Sequence, residues 1–350
     1  MKRISQLSRL CLAITAFLVA CISVRPTPAQ AGDGPNFEIG GQVDVSQLGH
    51  LLLMKQLGMT WMKIQIVAEE GVPDISWIIR DWVRPNKLKL LVSLIGDRSS
   101  ASSPAYANIY AAIAAGVARQ GADAIEVWNE PNLGREWPGT NPYAYMNLLA
   151  KTYASIKKAS PNTLVISAGV AAYADTRECG PDVCGSPLFF RGMQRAAAGL
   201  RKQAVPFADC IGVHYNIGTT PPAVLKGSIF SDKYTSYLPN VIASTSNFFH
   251  REIPLCFTEL GYASGEGVGN LPDSFGWARG ISVRNQADWL AQAATFLAQS
   301  GKVRLMVVWN ADLASDDTGD PQAAYAIVRP DGSCPACQSL AAAMGKLMMK

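Results

Sequence analysis

Short apolar runs alternate with longer stretches of helical period along most of this chain. Eight runs read as strands: 37–43 (FEIGGQV), 61–67 (WMKIQIV), 88–95 (KLKLLVSL), 124–130 (AIEVWNE), 164–170 (LVISAGV), 209–215 (DCIGVHY), 254–260 (PLCFTEL) and 303–309 (VRLMVVW). Between them, residues 143–159 place Tyr145, Leu148, Leu149, Thr152, Tyr153 and Ile156 on one helical face. An Ala-rich stretch over 104–120 opens with Pro104, a residue suited to a first helical turn. Residues 285–300 align Trp289, Ala293, Phe296 and Leu297, and one further helix is expected near 237–249. Strands alternating with helices give an α/β protein with a parallel sheet, and eight strands suffice to close it. The expected fold is a single (β/α)8 TIM barrel. A doubly wound open sheet shows the same alternation, because counting strands does not show closure.

The first 31 residues fall outside that pattern. Lys2, Arg3 and Arg9 precede an apolar run from Leu10 to Val24 and then the small-residue stretch Pro28-Ala29-Gln30-Ala31. This is the order of a secretory signal peptide, and the run is shorter than the roughly 20 residues a membrane span requires. Leu18-Val19-Ala20-Cys21 also resembles a lipobox, whose cysteine would carry a lipid anchor after cleavage. Cleavage after Ala31 and lipidation at Cys21 are both routes of export, to the extracellular space or to the cell surface. Residues 32–350 then form one domain, with no linker or repeat interrupting them. Four of the 31 basic residues (Lys2, Arg3, Arg9, Arg25) and none of the 27 acids lie in the leader, so the remainder balances at 27 against 27. A neutral domain gives no reason to expect a polyanionic partner such as nucleic acid.

Six cysteines follow the leader: Cys179, Cys184, Cys210, Cys256, Cys334 and Cys337. Export permits disulfides. Cys179/Cys184 and Cys334/Cys337 lie in Gly/Pro-rich loops, where local disulfides are expected. No histidine stands near Cys334 to complete a four-ligand zinc site. Cys210 and Cys256 fall within buried strands and read as plain packing.

Barrels of this kind carry their chemistry at the C-terminal ends of the strands. Strand four ends in Trp128-Asn129-Glu130-Pro131-Asn132, strand six in His214-Tyr215-Asn216, strand seven in Thr258-Glu259 and strand eight in Trp309-Asn310. Two glutamates at equivalent heights on strands four and seven would face each other across the mouth. Glycosyl transfer needs such a pair: one acid protonates the leaving oxygen while a carboxylate acts from the opposite face.

The segment EVWNEPNL (126–133) resembles the acid/base motif of clan A glycoside hydrolases, especially family 39, and TELGY (258–262) is similar to the nucleophile strand of the same clan. AYAIVRPDGS (324–333) resembles the ending of a group of secreted bacterial barrels of this clan. The resemblance implies a retaining glycosidase acting on a polysaccharide or oligosaccharide, with Glu130 as acid/base and Glu259 as nucleophile. It implies Asn129 on the sugar 2-hydroxyl, His214 and Tyr215 beside the nucleophile with a phenol orienting Glu259, and Trp309 as the floor of a sugar subsite. Many clan members carry Arg near strand two, where this chain has Lys63 and Gln65 on one face; Lys63 is counted with the substrate-binding residues. The tyrosine often found two residues after the strand-six histidine is here Asn216. Trp128, Trp137 and Trp309 are expected as apolar walls that raise the pKa of the acid, with Trp137 also counted as substrate-binding. The long loop 263–284, with Phe275 and Trp277, is placed to wall the cleft.

Other classes fit less well. A non-catalytic carbohydrate-binding barrel would have no need of both glutamates, whereas a transglycosylase would use the same pair. A metal-dependent hydrolase needs several strand-end ligands, and His214 stands alone there; no metal or cofactor is implied. No G-x-S-x-G elbow occurs. Glu126 reads as an inward hydrogen-bonding core group, and Trp61, Trp77, Trp82 and Trp289 as helix–sheet packing. His50 and His250 receive no role. Glu69-Glu70 and Asp316-Asp317 read as solvated loop charges, and the acids from Asp312 to Asp320 do not have EF-hand spacing.

Overall fold

The computed structural model describes residues 36–46, 51–69, 71–173, 176–201, 207–248, 253–269, 271–312 and 321–348. The expected leader with Cys21, His50, Glu70, His250 and Asp316-Asp317 lie outside these residues. Eight strands close into an all-parallel barrel in sequential order. They are β1 Glu38–Gln42, β2 Trp61–Val67, β3 Lys89–Ile95, β4 Ala124–Asn129, β5 Leu164–Ala171, β6 Ile211–Tyr215, β7 Leu255–Leu260 and β8 Val303–Val308. β8 pairs with β1 in parallel, with Gly40 opposite Val307. The open-sheet alternative is thereby excluded.

The covering helices are α1 Leu51–Gln56, α2 Ser76–Ile78 (continuing as a π-turn over Ile79–Val83), α3 Tyr106–Arg119, α4 Pro142–Ala159, α5 Ser186–Arg201, α6 Leu238–Phe248, α7 Val283–Gln299, α8 Gln322–Tyr325 and α9 Pro335–Met348. Local chemistry fixes their starts. Asn141 accepts from the backbone N–H groups of Tyr143 and Ala144, and Pro142 occupies the first turn of α4. Ser282 and Asn285 exchange hydrogen bonds as a capping box at α7. The buried stripe of α4 is Tyr145, Leu148, Leu149, Thr152 and Ile156, the face expected from its period.

Strand side chains alternate between two layers. Outward residues such as Met62, Ile125, Val213 and Phe257 join the helix–sheet core. Inward residues fill the barrel floor: Trp61, Leu91, Ala124, Ile166, Cys210, Cys256, Leu305 and Val307. Trp61 therefore belongs to the barrel interior, which corrects its assignment to helix–sheet packing. Its partner position on β1 is Gly40, where a β-carbon would lie 2.6 Å from the Trp61 carbonyl oxygen. Cys210 and Cys256 also depart from the packing expectation. They point inward from adjacent strands with Cα atoms 5.8 Å apart and sulfurs at bonding distance. Cys179/Cys184 and Cys334/Cys337 are paired as expected.

Candidate active site

Above the apolar floor lies a fully buried polar layer contributed by β2, β4, β6 and β7. Lys63 Nζ stands 3.1 Å from Glu126 Oε2 and 3.1 Å from Glu259 Oε1, and also donates to the Thr258 carbonyl. Glu126 Oε1 accepts from Thr258 Oγ1 (2.5 Å) and from the Gly169 amide (2.9 Å), with His214 Nε2 at 3.4 Å. Glu126 is thus the hydrogen-bonding core group expected of it. Burial alone would raise its pKa, but Lys63 and His214 outweigh burial and hold it far below the carboxylate range. The same carboxylates overcome the effect of burial on Lys63 and raise its pKa.

Glu130 and Glu259 sit over this layer because two strand ends break their alternation. On β4, Trp128 (φ 77°) and Glu130 (φ 37°) adopt left-handed backbone conformations. The turn sends Trp128 outward, where its indole N–H donates to the Glu136 carbonyl and its ring packs on Trp137 at 5.0 Å. Asn129 and Glu130 are left facing the mouth. On β7, the pairing jumps from Val213↔Phe257 to His214↔Glu259, a bulge that turns both Thr258 and Glu259 inward.

Each oxygen of the two carboxylates has a donor. Glu130 Oε1 lies 3.1 Å from His214 Nδ1, and Oε2 accepts from Arg135 at 2.9 Å. Glu259 Oε1 faces Lys63, and Oε2 accepts from Asn216 Nδ2 at 3.0 Å with His214 Nδ1 at 3.4 Å. The His214 ring touches all three glutamates. Burial opposes its charge, but Glu259, Glu126 and Glu130 prevail and push its pKa up to about 10. Burial would likewise raise Glu130, yet His214 and Arg135 hold it below its ordinary value. This reverses the expected direction, because Trp128 and Trp137 lie in the outer layer and not against Glu130.

The carboxylates open into a cleft of about 500 Å³ lined also by Gln65, Asn129, Arg135, Trp309 and Tyr325. Asn129 Oδ1 and Asn216 Oδ1 are buried without a partner, acceptors that a ligand hydroxyl would satisfy. Trp309, on the peptide that is cis to Asn310, forms part of the wall. Phe230, Trp277, Phe275 and Tyr325 extend that wall as a row of rings, with successive centroids 5.4, 6.0 and 6.4 Å apart. Phe275 and Trp277 come from the loop expected to wall the cleft.

Three residues expected to bind substrate lie elsewhere. Tyr215 follows His214 on β6 and so faces outward; its hydroxyl donates to the Ser236 carbonyl at 2.7 Å. Asn216 supplies the donor to Glu259 in its place. Trp137 is fully buried between Trp128 and Tyr145. Lys63 is fully buried beneath the carboxylates and supports Glu259 from below. Arg135 and Tyr325 were not anticipated. Arg135 is the first cation after Glu130 on the β4–α4 loop, and Tyr325 lies in the quoted AYAIVRPDGS segment.

Among the described residues, Glu130, His214 and Glu259 form a set whose ligand atoms lie within 4.8 Å of one another and could hold a metal ion. Their donor set is already neutralised: Arg135 faces Glu130 and Lys63 faces Glu259. A divalent ion would have to displace the His214 proton between two cations, which suits a carboxylate pair better than a metal cradle.

No protein-family model matches the sequence, and no curated protein matches it. Solved structures of similar fold include several glycoside hydrolases. A family 39 glycoside hydrolase from Bacteroides cellulosilyticus WH2 superposes over 90% of this chain with TM-score 0.63 and 16% identity. This chain spans 64% of that protein's length. A glucosidase from Croceicoccus marinus matches 90% of this chain and 68% of its own, with TM-score 0.60 and 14% identity. A monomeric beta-xylosidase from Caulobacter crescentus CB15 matches 88% of this chain and 67% of its own, with TM-score 0.57 and 16% identity.

Proposed function

We propose that this chain is a retaining glycoside hydrolase that cleaves O-glycosidic bonds of a polysaccharide or oligosaccharide. The observation that carries the reading is the spacing of its two cleft carboxylates. Their nearest oxygens lie within 4.8 Å, on strands that face each other across the mouth. Double displacement uses a pair about 5–5.5 Å apart, whereas inversion leaves room for a water at about 6.5–9.5 Å. Glu259 is the nucleophile: Lys63 and Asn216 each donate to one of its oxygens, and its side chain lines the cleft. Glu130 is the acid/base, sharing a hydrogen bond with a histidine that carries a proton at neutral pH. Asn129 offers its free Oδ1 to the sugar 2-hydroxyl, and the Trp309 indole stacks on the pyranose. The paired cysteines and the leader sequence accord with export, either free or anchored at Cys21. No helix among the described residues is long and apolar enough to cross a membrane.

The test is a screen of purified protein against polysaccharide and aryl-glycoside panels beside Glu259→Ala, with the anomer of the product read by NMR. The wild type should release a product of retained configuration, and the variant should lose on the order of 10⁴-fold or more in kcat while keeping its circular dichroism. Equal rates in both, or an inverted product, would end the mechanism. Products longer than the substrate would identify transglycosylation through the same intermediate.

A further inference from the structure

The two oxygens of Glu130 are held by cations of different kinds. Oε1 is bound by His214, fully buried and fixed among three glutamates. Oε2 is bound by Arg135, whose side chain is 71% exposed, on the loop between β4 and α4. Both line the same cleft. An acid must carry its proton on an oxygen that can reach the glycosidic bond. Oε1 faces the buried histidine, so the delivering oxygen is Oε2. An arginine at 2.9 Å occupies that place, and a guanidinium cannot itself give up a proton. A cation donating to Oε2 favours the charged form of Glu130, so this oxygen takes up the proton it delivers more readily once Arg135 leaves it.

Among the described residues, the only other charged partner of Arg135 is Glu136, with Nε 3.6 Å from Oε1, and Glu136 is already bridged by Arg98 at 3.0 Å. Released from Glu130 by a neutral substrate, Arg135 would exchange a charge-assisted bond for water. A substrate anion would instead take over the planar, two-pronged donor set that the arginine presents. Because Arg135 stands on the acid's delivering oxygen, that anion belongs to the leaving-group side of the scissile bond.

On the reading of Glu130 as acid/base, we propose that Arg135 is a specificity-determining residue that selects substrates bearing an anionic group, a carboxylate or a sulfate, on the leaving sugar. Binding of that group draws Arg135 off Glu130 Oε2 and leaves this oxygen free to take the proton it delivers. Neutral substrates lack the exchange and are turned over more slowly.

Two measurements separate this proposal from the reading beneath it. Glu259→Gln protein is titrated calorimetrically with glucuronic-acid-bearing xylo-oligosaccharides, sulfated galactan oligosaccharides and the neutral parent of each. At least one charged member should bind roughly tenfold more tightly than its parent, the value of one good arginine–anion pair, and the advantage should fall with added salt. Arg135→Gln in the same background should erase the difference. Whichever arm responds, uronate or sulfate, names the anion. If no charged oligosaccharide outbinds its parent, or if the preference survives Arg135→Gln, the proposal is wrong. The second measurement is hydrolysis. With charged substrates binding through Arg135 but no turnover by the unsubstituted protein, the glycosidase reading fails and the anion site stands. With turnover of neutral and charged substrates at equal kcat/KM, the glycosidase reading stands and the anion site fails.

Discussion

A β-carbon at Gly169 would lie 2.0 Å from His214 Cδ2 and 2.1 Å from Nε2, closer than any real contact. The His214 ring rests on the bare backbone of β5, and this close approach lets one side chain reach Glu126, Glu130 and Glu259 together. Gly169→Ala should push the ring off the carboxylates. Misplacement on this scale lowers kcat about 10²-fold, and forced overpacking costs about 1–3 kcal/mol of stability. Wild-type kcat in that variant, beside a measured melting curve, would show that the ring position does not matter to turnover. Lys63 presents a different case, since it is buried for charge and not for shape. Lys63→Met leaves Glu126 and Glu259 without their shared cation, and breaking a buried pair typically costs about 3–5 kcal/mol. The loss should grow from pH 5 to pH 8, because Glu126 without Lys63 escapes part of the penalty by taking a proton at low pH. Urea denaturation at both pH values checks this, and a pH-independent difference would contradict it.

Cys210 precedes β6 and Cys256 lies on β7, and their link joins neighbouring strands inside the barrel floor. Closing a loop of sequence separation 46 restricts the unfolded chain far more than closing the 5- or 3-residue separations of the other two pairs. Cys210→Ala/Cys256→Ala should therefore lower stability by about 2–4 kcal/mol, while activity at 25 °C stays close to wild type. Denaturant midpoints with and without reductant would measure the effect, and an unchanged midpoint would mean that the bond contributes nothing. The same two strands show where the sequence is readable. Alternation along β2 brings Lys63 and Gln65 inward together, and along β6 it sends His214 inward and Tyr215 outward. Counting residues from His214 predicts that outcome for Tyr215 without any structure. The departures on β4 and β7 are of another kind. Simple alternation turns Trp128 inward and Phe257 and Glu259 to one side. A left-handed residue and a bulge, neither of which has a sequence signature here, reverse those faces. The glutamates were legible because their motifs name them, and Trp137 was misplaced because a motif does not say which face a loop residue takes.

At the level of the whole barrel, polarity is stacked: an apolar floor, a dry layer of Lys63, Glu126, His214 and Thr258, then the carboxylates at the mouth. This stacking brings together residues from β2, β4, β6 and β7 that are up to 196 positions apart, so the charges that bias Glu130 downward could not be read from its neighbours in sequence. It also ties global stability to pH. His214 rises from an ordinary 6.5 to about 10, so the folded state binds its proton more tightly than the unfolded chain does. Its contribution is complete below about pH 6.5 and is lost as pH climbs from there through 10. Glu126 is displaced the other way from an ordinary 4.5, so its contribution is present above that value and is lost as pH falls below it. Stability should therefore be greatest between about pH 4.5 and 6.5 and decline on both sides, most gradually on the alkaline side. His214→Gln should flatten the alkaline decline and weaken the acid limb without removing it, because Lys63 still faces Glu126 while the bond and charge of His214 are gone. An unfolding free energy that keeps the wild-type slope between pH 7 and 10 in His214→Gln would mean that the proton responsible sits elsewhere in the barrel. If the slope disappears, the proton that ties the stability of the barrel to alkaline pH is the one on His214, held there by Glu259, Glu126 and Glu130.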